Sequence, residues 1–535
     1  MAVAGFRTTV DWNSRTWQPW EKFLFSAFNG AKHKLVALFM MLPCLMLLLP
    51  FMPLISLLLL RAPPAPQGYY GVGLSDVQRL LSLNVAGVGS NMLRMRVFYP
   101  ASVDGSSGTS AASWLPDGQA TSRYARAHPD ALPFPKRFRK VFAPLLSAFL
   151  FRARLDKRVS RQATPMPAPR QEGWPLVIFS HGMYGCASSY SALCAEIASH
   201  GAVVVALEHK DGSAVYSETD DGDVTGHVNG QDTEDQVDRR VDEIGAVLEC
   251  VNDVVAEAQR GERGAVRDLS SSIEELPTVD TSRVAFVGHS FGGATALRAA
   301  AKLEREGRST SAAAGAPRKA APSVSAVVAL DPWISGYNHT RHGVSAAPTA
   351  ACLTQSMMYP PNEEALGDVL RAVSARSESP VLYVEAKETR HQEISDYPSL
   401  SYWPLRLVCM CGHLDPHVSH DRQTSVAVGF LAAAGVLGGS HAAVSSEAGG
   451  AVGEPHGVST QLTRTRRLAS GLLLRETSGS GAATKADNAG DEDLYHVHGA
   501  SVPEAGGWRA RLRDWGSGRR AVYVPPSIRL TKAML

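Results

Sequence analysis

The stretch Val284–Thr295, VAFVGHSFGGAT, joins a short apolar run to an Ala-rich segment through Gly288-His289-Ser290-Phe291-Gly292, which fits the pattern G-x-S-x-G. A serine on a sharp strand-to-helix turn sits on strained backbone, and small residues two positions before and after it let the two chain segments pass closely. The helix that follows aims its free N-terminal amides at the serine, where they favour an oxyanion. The stretch therefore predicts a nucleophile elbow with Ser290 at its tip and Gly288 and Gly292 as the small neighbours.

Working outward, Leu176–Phe179, Ala202–Leu207, Val324–Leu330 and Val381–Val384 are further short apolar runs rich in β-branched residues. Apolar on both faces, they read with Val284–Val287 as buried parallel strands. Leu93–Tyr99 alternates apolar and polar, the pattern of a half-buried strand. Val237, Val241, Ile244, Leu248, Val251 and Val255 recur at three- and four-residue steps and mark one face of a long helix, with Thr233 and Gln236 as its expected capping box. Residues 101–130 read as a loop. Strands alternating with helices predict an α/β fold: a mostly parallel central sheet with helices on both faces, in the α/β-hydrolase manner.

A serine hydroxyl needs a base to take its proton and a carboxylate to orient that base, and in this fold the acid and then the histidine follow the serine. Asp331 closes the next strand and is the expected acid. His391 follows the strand Val381–Val384 by a short loop and is favoured by that position; His339, His342, His413, His417 and His420 compete for the role and otherwise read as solvated loop histidines. The oxyanion hole needs two backbone donors. The amide of Phe291 is one expected donor, and that of Met183, in Ser180-His181-Gly182-Met183-Tyr184-Gly185, is the other.

The chain has 535 residues, 53 Lys and Arg against 51 Asp and Glu, and 44% hydrophobic residues, which fits a large packed core and gives no bulk attraction to nucleic acid. Leu35–Leu60 carries no charge; as a helix its 26 residues reach about 39 Å, enough to cross a bilayer. Arg7, Arg15, Lys22, Lys32 and Lys34 precede it and only Arg61 follows closely, so the positive-inside rule predicts a single-pass type II anchor with the catalytic domain lumenal or extracellular. The expected organisation is a cytosolic segment 1–34, a transmembrane helix 35–60, a linker 61–68, a catalytic domain 69–433 with a flexible insertion at 308–323, and a mostly disordered region 434–535. The seven cysteines show no zinc spacing, no metal or other cofactor is expected, and Asn338-His339-Thr340 is a glycosylation sequon if that side is lumenal.

Five segments sharpen the reading: Phe179–Tyr190 (FSHGMYGCASSY), Ala198–Ala214 (ASHGAVVVALEHKDGSA), Val284–Thr295, Ala329–Trp333 (ALDPW) and Arg390–Tyr397 (RHQEISDY), with Leu93–Pro100 (LRMRVFYP) as a first core strand. In these the chain resembles the platelet-activating-factor acetylhydrolase, or lipoprotein-associated phospholipase A2, family over roughly residues 69–430. The resemblance implies calcium-independent hydrolysis of short or oxidised sn-2 acyl chains of glycerophospholipids. It places the nucleophile on Ser290, the acid on Asp331, the base on His391 and the oxyanion amides on Met183 and Phe291. Gln392-Glu393-Ile394 and Pro332 depart from the family pattern, and the apolar span, the insertion and the long tail have no counterpart in its secreted members. Two other readings stay open: a broader carboxylesterase or lipase on the same fold, and a catalytically silent membrane-tethered binding module. Phe138, Val141, Phe142, Leu145, Leu146, Phe149 and Leu150, flanked by Lys and Arg, predict an interfacial helix over about 138–150.

Overall fold

The structure, a computed structural model, describes residues between Arg61 and Leu437 and the segment Tyr495–Gly499. Residues 1–60, 81–91, 103–110, 132–143, 219–223, 226–230, 260–276, 313–321, 438–494 and 500–535 lie outside that description, as do a few one- to four-residue stretches. The apolar span 35–60 and most of the expected interfacial helix therefore fall outside it. Among the described residues no helix is long and apolar enough to cross a membrane.

The principal elements are β1 (Gly71–Leu80), β2 (Met92–Ser102), α1 (Gln119–Ala131), β3 (Trp174–Ser180), α2 (Ser191–Ser199), β4 (Val203–Glu208), α3 (Thr233–Gln259), β5 (Val279–His289), α4 (Phe291–Ala312), β6 (Ser323–Leu330), β7 (Thr349–Thr354), α5 (Pro360–Arg376), β8 (Val381–Ala386), α6 (Pro416–Ala433) and β9 (Tyr495–Gly499). They form one sheet in the order β9-β8-β7-β6-β5-β3-β4-β2-β1. The six strands from β8 to β4 are parallel, and β9 and β2 add antiparallel flanks. The alternation of side chains divides the core between two layers. Val177, Phe179, Val287 and Leu330 face a cluster that includes Ile197 of α2 and Leu431 of α6. Leu176, Ile178, Phe286 and Val327 face α3, α4 and α5 through Val241, Leu297 and Val369. Burial on both sides is why these strands read as unbroken apolar runs.

The order reverses around β3: its successor β4 lies on one side and β5 on the other. A crevice opens at such a switch point beyond the strand C-termini. The loop after β3 and the elbow after β5 are both delivered there. A Cβ on Gly182 would stand 3.1 Å from the Ser290 Cβ.

Several expectations are corrected. Residues 101–130 are not all loop: α1 occupies Gln119–Ala131, and Tyr124, Ala125 and His128 are buried on one of its faces. The cap of α3 is Asp232, whose Oδ1 accepts from the amides of Glu234 at 2.7 Å and Asp235 at 3.3 Å; Gln236 instead turns inward to donate to the Asp211 carbonyl. α4 runs to Ala312 and β6 begins at Ser323, so helix and strand take both ends of the expected insertion. The linker is tied down: Arg158 donates to the carbonyls of Pro66, Gly68 and Tyr70, while the side chains of Glu196 and Ser199 accept from the amides of Gln67 and Gly68. Val436 and Leu437 are buried, which carries the domain past residue 433, and β9 brings Tyr495–Gly499 of the expected disordered region onto the edge of the sheet. In the described end of the interfacial helix, Leu150 packs into the core and Phe151 is exposed. The described cysteines, Cys186, Cys194, Cys250, Cys352 and Cys411, are free thiols.

One buried side chain ties α2 to the segment before α1. Asp396 accepts from Trp114 Nε1 at 2.8 Å and from the first amides of α2, Ser191 at 2.9 Å and Ala192 at 3.1 Å. Burial raises its pKa to about 6 against the pull of these donors. Asp396→Ala strands a buried indole N–H and two helix amides, and we expect a loss of about 3 kcal/mol in urea unfolding; a loss under about 1 kcal/mol would contradict this role.

Candidate active site

Ser290 sits between β5 and α4 with φ of 55°, in the left-handed region. The small neighbours are required by contact: a Cβ on Gly288 would fall 2.0 Å from the Gly292 carbonyl oxygen, and one on Gly292 would fall 2.0 Å from that of Ser180. The turn is held by the Ser290 amide donating to the Leu330 carbonyl at 2.9 Å and by the Ser290 carbonyl accepting from Trp333 at 3.0 Å.

Ser290 Oγ lies 2.9 Å from His391 Nε2, and His391 Nδ1 lies 2.6 Å from Asp331 Oδ2. Asp331, at the end of β6, also has positive φ, 45°. Its carboxylate is fully buried and accepts from Thr354, at the end of β7, through both the amide (2.6 Å) and the hydroxyl (2.5 Å). The His391 side chain keeps about a fifth of its surface open (21%), which leaves the serine approachable from that side. His391 begins a short 3-10 turn, His391–Ile394, anchored by Glu393: its carboxylate accepts from the amides of Arg390 (2.7 Å) and Gly412 (2.6 Å) and from the Ser419 hydroxyl (2.5 Å).

The rival histidines stand elsewhere. His342 is buried against Glu234 at 2.7 Å, and His420 is buried in α6 with a pKa lowered to about 3 by that burial; neither is the solvated loop histidine expected. His413 Nδ1 lies 2.5 Å from an Arg406 guanidinium nitrogen, and His417 Nε2 reaches the Ala62 carbonyl at 3.1 Å. Asn338 is exposed and caps the four-residue helix His339–His342.

The loop after β3 also reaches the serine, a Cβ on Gly182 standing 3.1 Å from that of Ser290. The Gly182 amide donates to Tyr190 Oη at 3.3 Å, that of Tyr184 to the Ser213 carbonyl at 2.8 Å and that of Gly185 to the Gly182 carbonyl at 3.0 Å. Among the described hydrogen bonds the Met183 and Phe291 amides have no acceptor, so both remain available to an oxyanion. His289 is buried between these parts, its Nδ1 2.8 Å from Tyr190 Oη and its ring 4.5 Å from that of His391. Burial, reinforced by His391, holds its pKa well below the usual histidine value. His289, Asp331 and His391 have ligating atoms within 4.8 Å of one another. The two ring nitrogens of His391 face Ser290 and Asp331, while the hydrogen bond of His289 goes to Tyr190.

Behind the loop lies a polar cluster that the segment His209–Ser213 foreshadowed in part. His209 joins Ser180 Oγ (2.8 Å) to Glu243 Oε2 (2.6 Å), while Arg240 pairs with Asp211 at 2.8 Å. Burial raises the Glu243 pKa to about 8, and burial with Arg240 pushes that of His209 well down. Both groups are therefore neutral near pH 7, and the contact is an acid–imidazole hydrogen bond. Because the folded pKa lies above the ordinary 4.5, the contribution of Glu243 to stability is complete below that value and is lost as pH rises through about 8. Glu243→Gln keeps the neutral hydrogen bonds and cannot ionise. Its melting temperature relative to the parent should rise from about pH 5 to about pH 9, and parallel curves would refute the assignment.

Thr354 and Arg240 were not singled out in the sequence, and Tyr190, Glu393 and Asp396 appeared there only inside quoted segments, with no structural role assigned to them. Their partners lie largely in other parts of the chain, which no local pattern marks. Asp211, inside the quoted EHKDGSA, was the visible end of the cluster.

A sequence profile described as platelet-activating factor acetylhydrolase, isoform II matches residues 61–438. A platelet-activating factor acetylhydrolase of Canis lupus familiaris is 28% identical over 266 residues, 45% of this chain and 52% of that one. One from Bos taurus is 32% identical over 152 residues, 25% of this chain and 33% of that one. A putative phospholipase A2 of Schizosaccharomyces pombe is 51% identical over 49 residues, 9% of this chain and 11% of that one. The chain thus spans about half the length of the first of these relatives and less of the others. A solved ferulic acid esterase from Streptomyces cinnamoneus superposes with a TM-score of 0.47 at 18% identity, covering 69% of this chain and 92% of that one.

Proposed function

Given that this chain belongs to the platelet-activating factor acetylhydrolase, isoform II family, we propose that it is a serine esterase of α/β-hydrolase fold that removes short or oxidised sn-2 acyl chains from glycerophospholipids. The observation that carries this is the line Ser290 Oγ–His391 Nε2–Asp331 Oδ2, at 2.9 and 2.6 Å, on a serine held at φ 55°. The order serine, aspartate, histidine after the parallel strands β5, β6 and β8 supports the fold.

In the proposed reaction His391 Nε2 takes the Ser290 proton as Oγ attacks the sn-2 carbonyl carbon. Asp331 keeps the other proton on His391 Nδ1 and stabilises the imidazolium. Thr354, by supplying two donors, holds the carboxylate aimed at His391. The Met183 and Phe291 amides receive the oxyanion. The imidazolium then protonates the departing glycerol oxygen, leaving an acyl group on Ser290. Water, deprotonated by His391, attacks that ester and restores the serine. No step needs a metal ion, so chelation should leave the rate unchanged.

A fluorophosphonate should label the parent at Ser290, and a panel of sn-2 chain lengths beside non-phospholipid esters should favour short or oxidised chains on a phospholipid. Absence of labelling would point to a silent binding module; equal rates on simple esters would point to a general carboxylesterase. For location, the uncharged stretch Leu35–Leu60 and the basic residues before it support a type II membrane anchor with the catalytic domain lumenal or extracellular. Protection of that domain from protease in sealed microsomes tests this, and digestion from the cytosolic side would refute it.

A further inference from the structure

The Met183 amide, proposed as an oxyanion donor, lies in a loop whose neighbouring amides at Gly182, Tyr184 and Gly185 are paired. Beyond the amide bonds of Gly182, Tyr184 and Gly185, His181 Nδ1 donates to the Gly182 carbonyl at 2.8 Å, and His181 Nε2 accepts from the His209 amide at 3.2 Å. The Gly185 carbonyl accepts from Val215 at 3.0 Å. Among the described bonds of this loop, Met183 is left with its N–H unspent, and the segment 209–215 supplies much of the frame.

Arg240 of α3 ties that frame together. Its Nη1 donates to the His181 carbonyl at 2.7 Å, its Nε to Asp211 Oδ2 at 2.8 Å, and its Nη2 to the Ser213 hydroxyl. Asp211 Oδ1 accepts in turn from the Ser213 amide (3.1 Å) and hydroxyl (2.5 Å). The guanidinium carbon lies 4.7 Å from the centre of the Phe291 ring. One cation therefore touches the loop carrying Met183, the segment bracing that loop, and the side chain of the second oxyanion residue. Arg240 and Asp211 are both fully buried. A desolvated pair of this kind gives little net stability compared with apolar packing, and its worth lies in fixing geometry.

We infer that Arg240, braced by Asp211 and Ser213, is a positioning residue that presets the Met183 and Phe291 amides for the oxyanion, resting on the esterase reading above. A preset hole lowers the barrier without tightening substrate binding, so its loss falls on kcat.

The test is Arg240→Lys, which keeps a charge for Asp211 but lacks the planar fork that reaches three acceptors. The expected result is kcat on an acetylated phospholipid lower by about 10-fold or more, KM within about twofold, and fluorophosphonate labelling slowed in step. Affinity for a trifluoromethyl ketone, whose adduct with Ser290 carries an oxyanion, should fall by the same factor. Met183→Pro removes the amide proton itself; in that background Arg240→Lys should cost clearly less than in the parent, the remainder being its effect on the Phe291 amide. Should Arg240→Lys fail to fold, Ser213→Ala, which changes no charge, should reproduce the pattern at about threefold. Unchanged kcat in the folded variant, ketone affinity retained while kcat falls, or multiplicative effects with Met183→Pro would each overturn the inference. A parent that fluorophosphonate does not label would overturn the esterase reading and this inference with it.

Discussion

Ser290→Ala should hydrolyse an acetylated phospholipid at least about 10⁴-fold more slowly than the parent. The Oγ it removes is the atom 2.9 Å from His391 Nε2 and the attacking atom of the proposed reaction. What survives should be the modest rate that an intact oxyanion hole lends to attack by water. Substrate binding should persist, because the pocket loses one atom. The backbone offers a second check. Alanine inherits the strain of φ 55°, whereas glycine adopts that conformation freely. Ser290→Gly should therefore be equally inactive but more stable than Ser290→Ala by about 1 kcal/mol. Activity within tenfold of the parent in either variant would remove Ser290 from the reaction.

Asp331→Asn should lower kcat by about 10⁴-fold while the fold is kept. The reason lies in the donors around the carboxylate. Thr354 presents an N–H to Oδ1 and a hydroxyl to Oδ2, and His391 presents Nδ1 to Oδ2. An asparagine oriented to accept from the Thr354 amide must put its NH₂ where Oδ2 stood. It then donates to His391 Nδ1, the ring proton moves to Nε2, and the base can no longer accept from Ser290. The rate of fluorophosphonate labelling reads this directly. Labelling as fast as in the parent would show that Asp331 does not orient the histidine.

These residues differ in how visible they were. Ser290 announces itself because the close passage of β5, α4 and the loop after β3 demands glycine at 288 and 292, and such a demand is written in adjacent letters. Asp331 is nearly as legible, since a strand end after the elbow's helix is a local feature. His391 was one of several histidines by position, and the family resemblance singled it out; the structure sets it against both Ser290 and Asp331. Thr354 and Arg240 left no mark, because each meets its partner across a wide gap in the chain. The cap of α3 shows the same limit on a small scale. Thr233 and Gln236 have the right spacing for a capping box, but Asp232 competes better for the first amides and Gln236 is drawn inward by Asp211.

Periodicity alone determined the layered α/β architecture, for a strand buried on both faces or a helix buried on one must carry that burial in its own residues. The five-residue pattern G-x-S-x-G determined the elbow, whose strain and crowding act at those residues. Tertiary structure alone decided which strands are neighbours and which histidine meets the serine. It also decided that the segment after residue 61 is strapped to the domain and that Arg240 braces the loop after β3. Those outcomes depend on contacts between residues far apart in the chain, where burial and hydrogen-bond geometry select among partners that the sequence leaves equivalent.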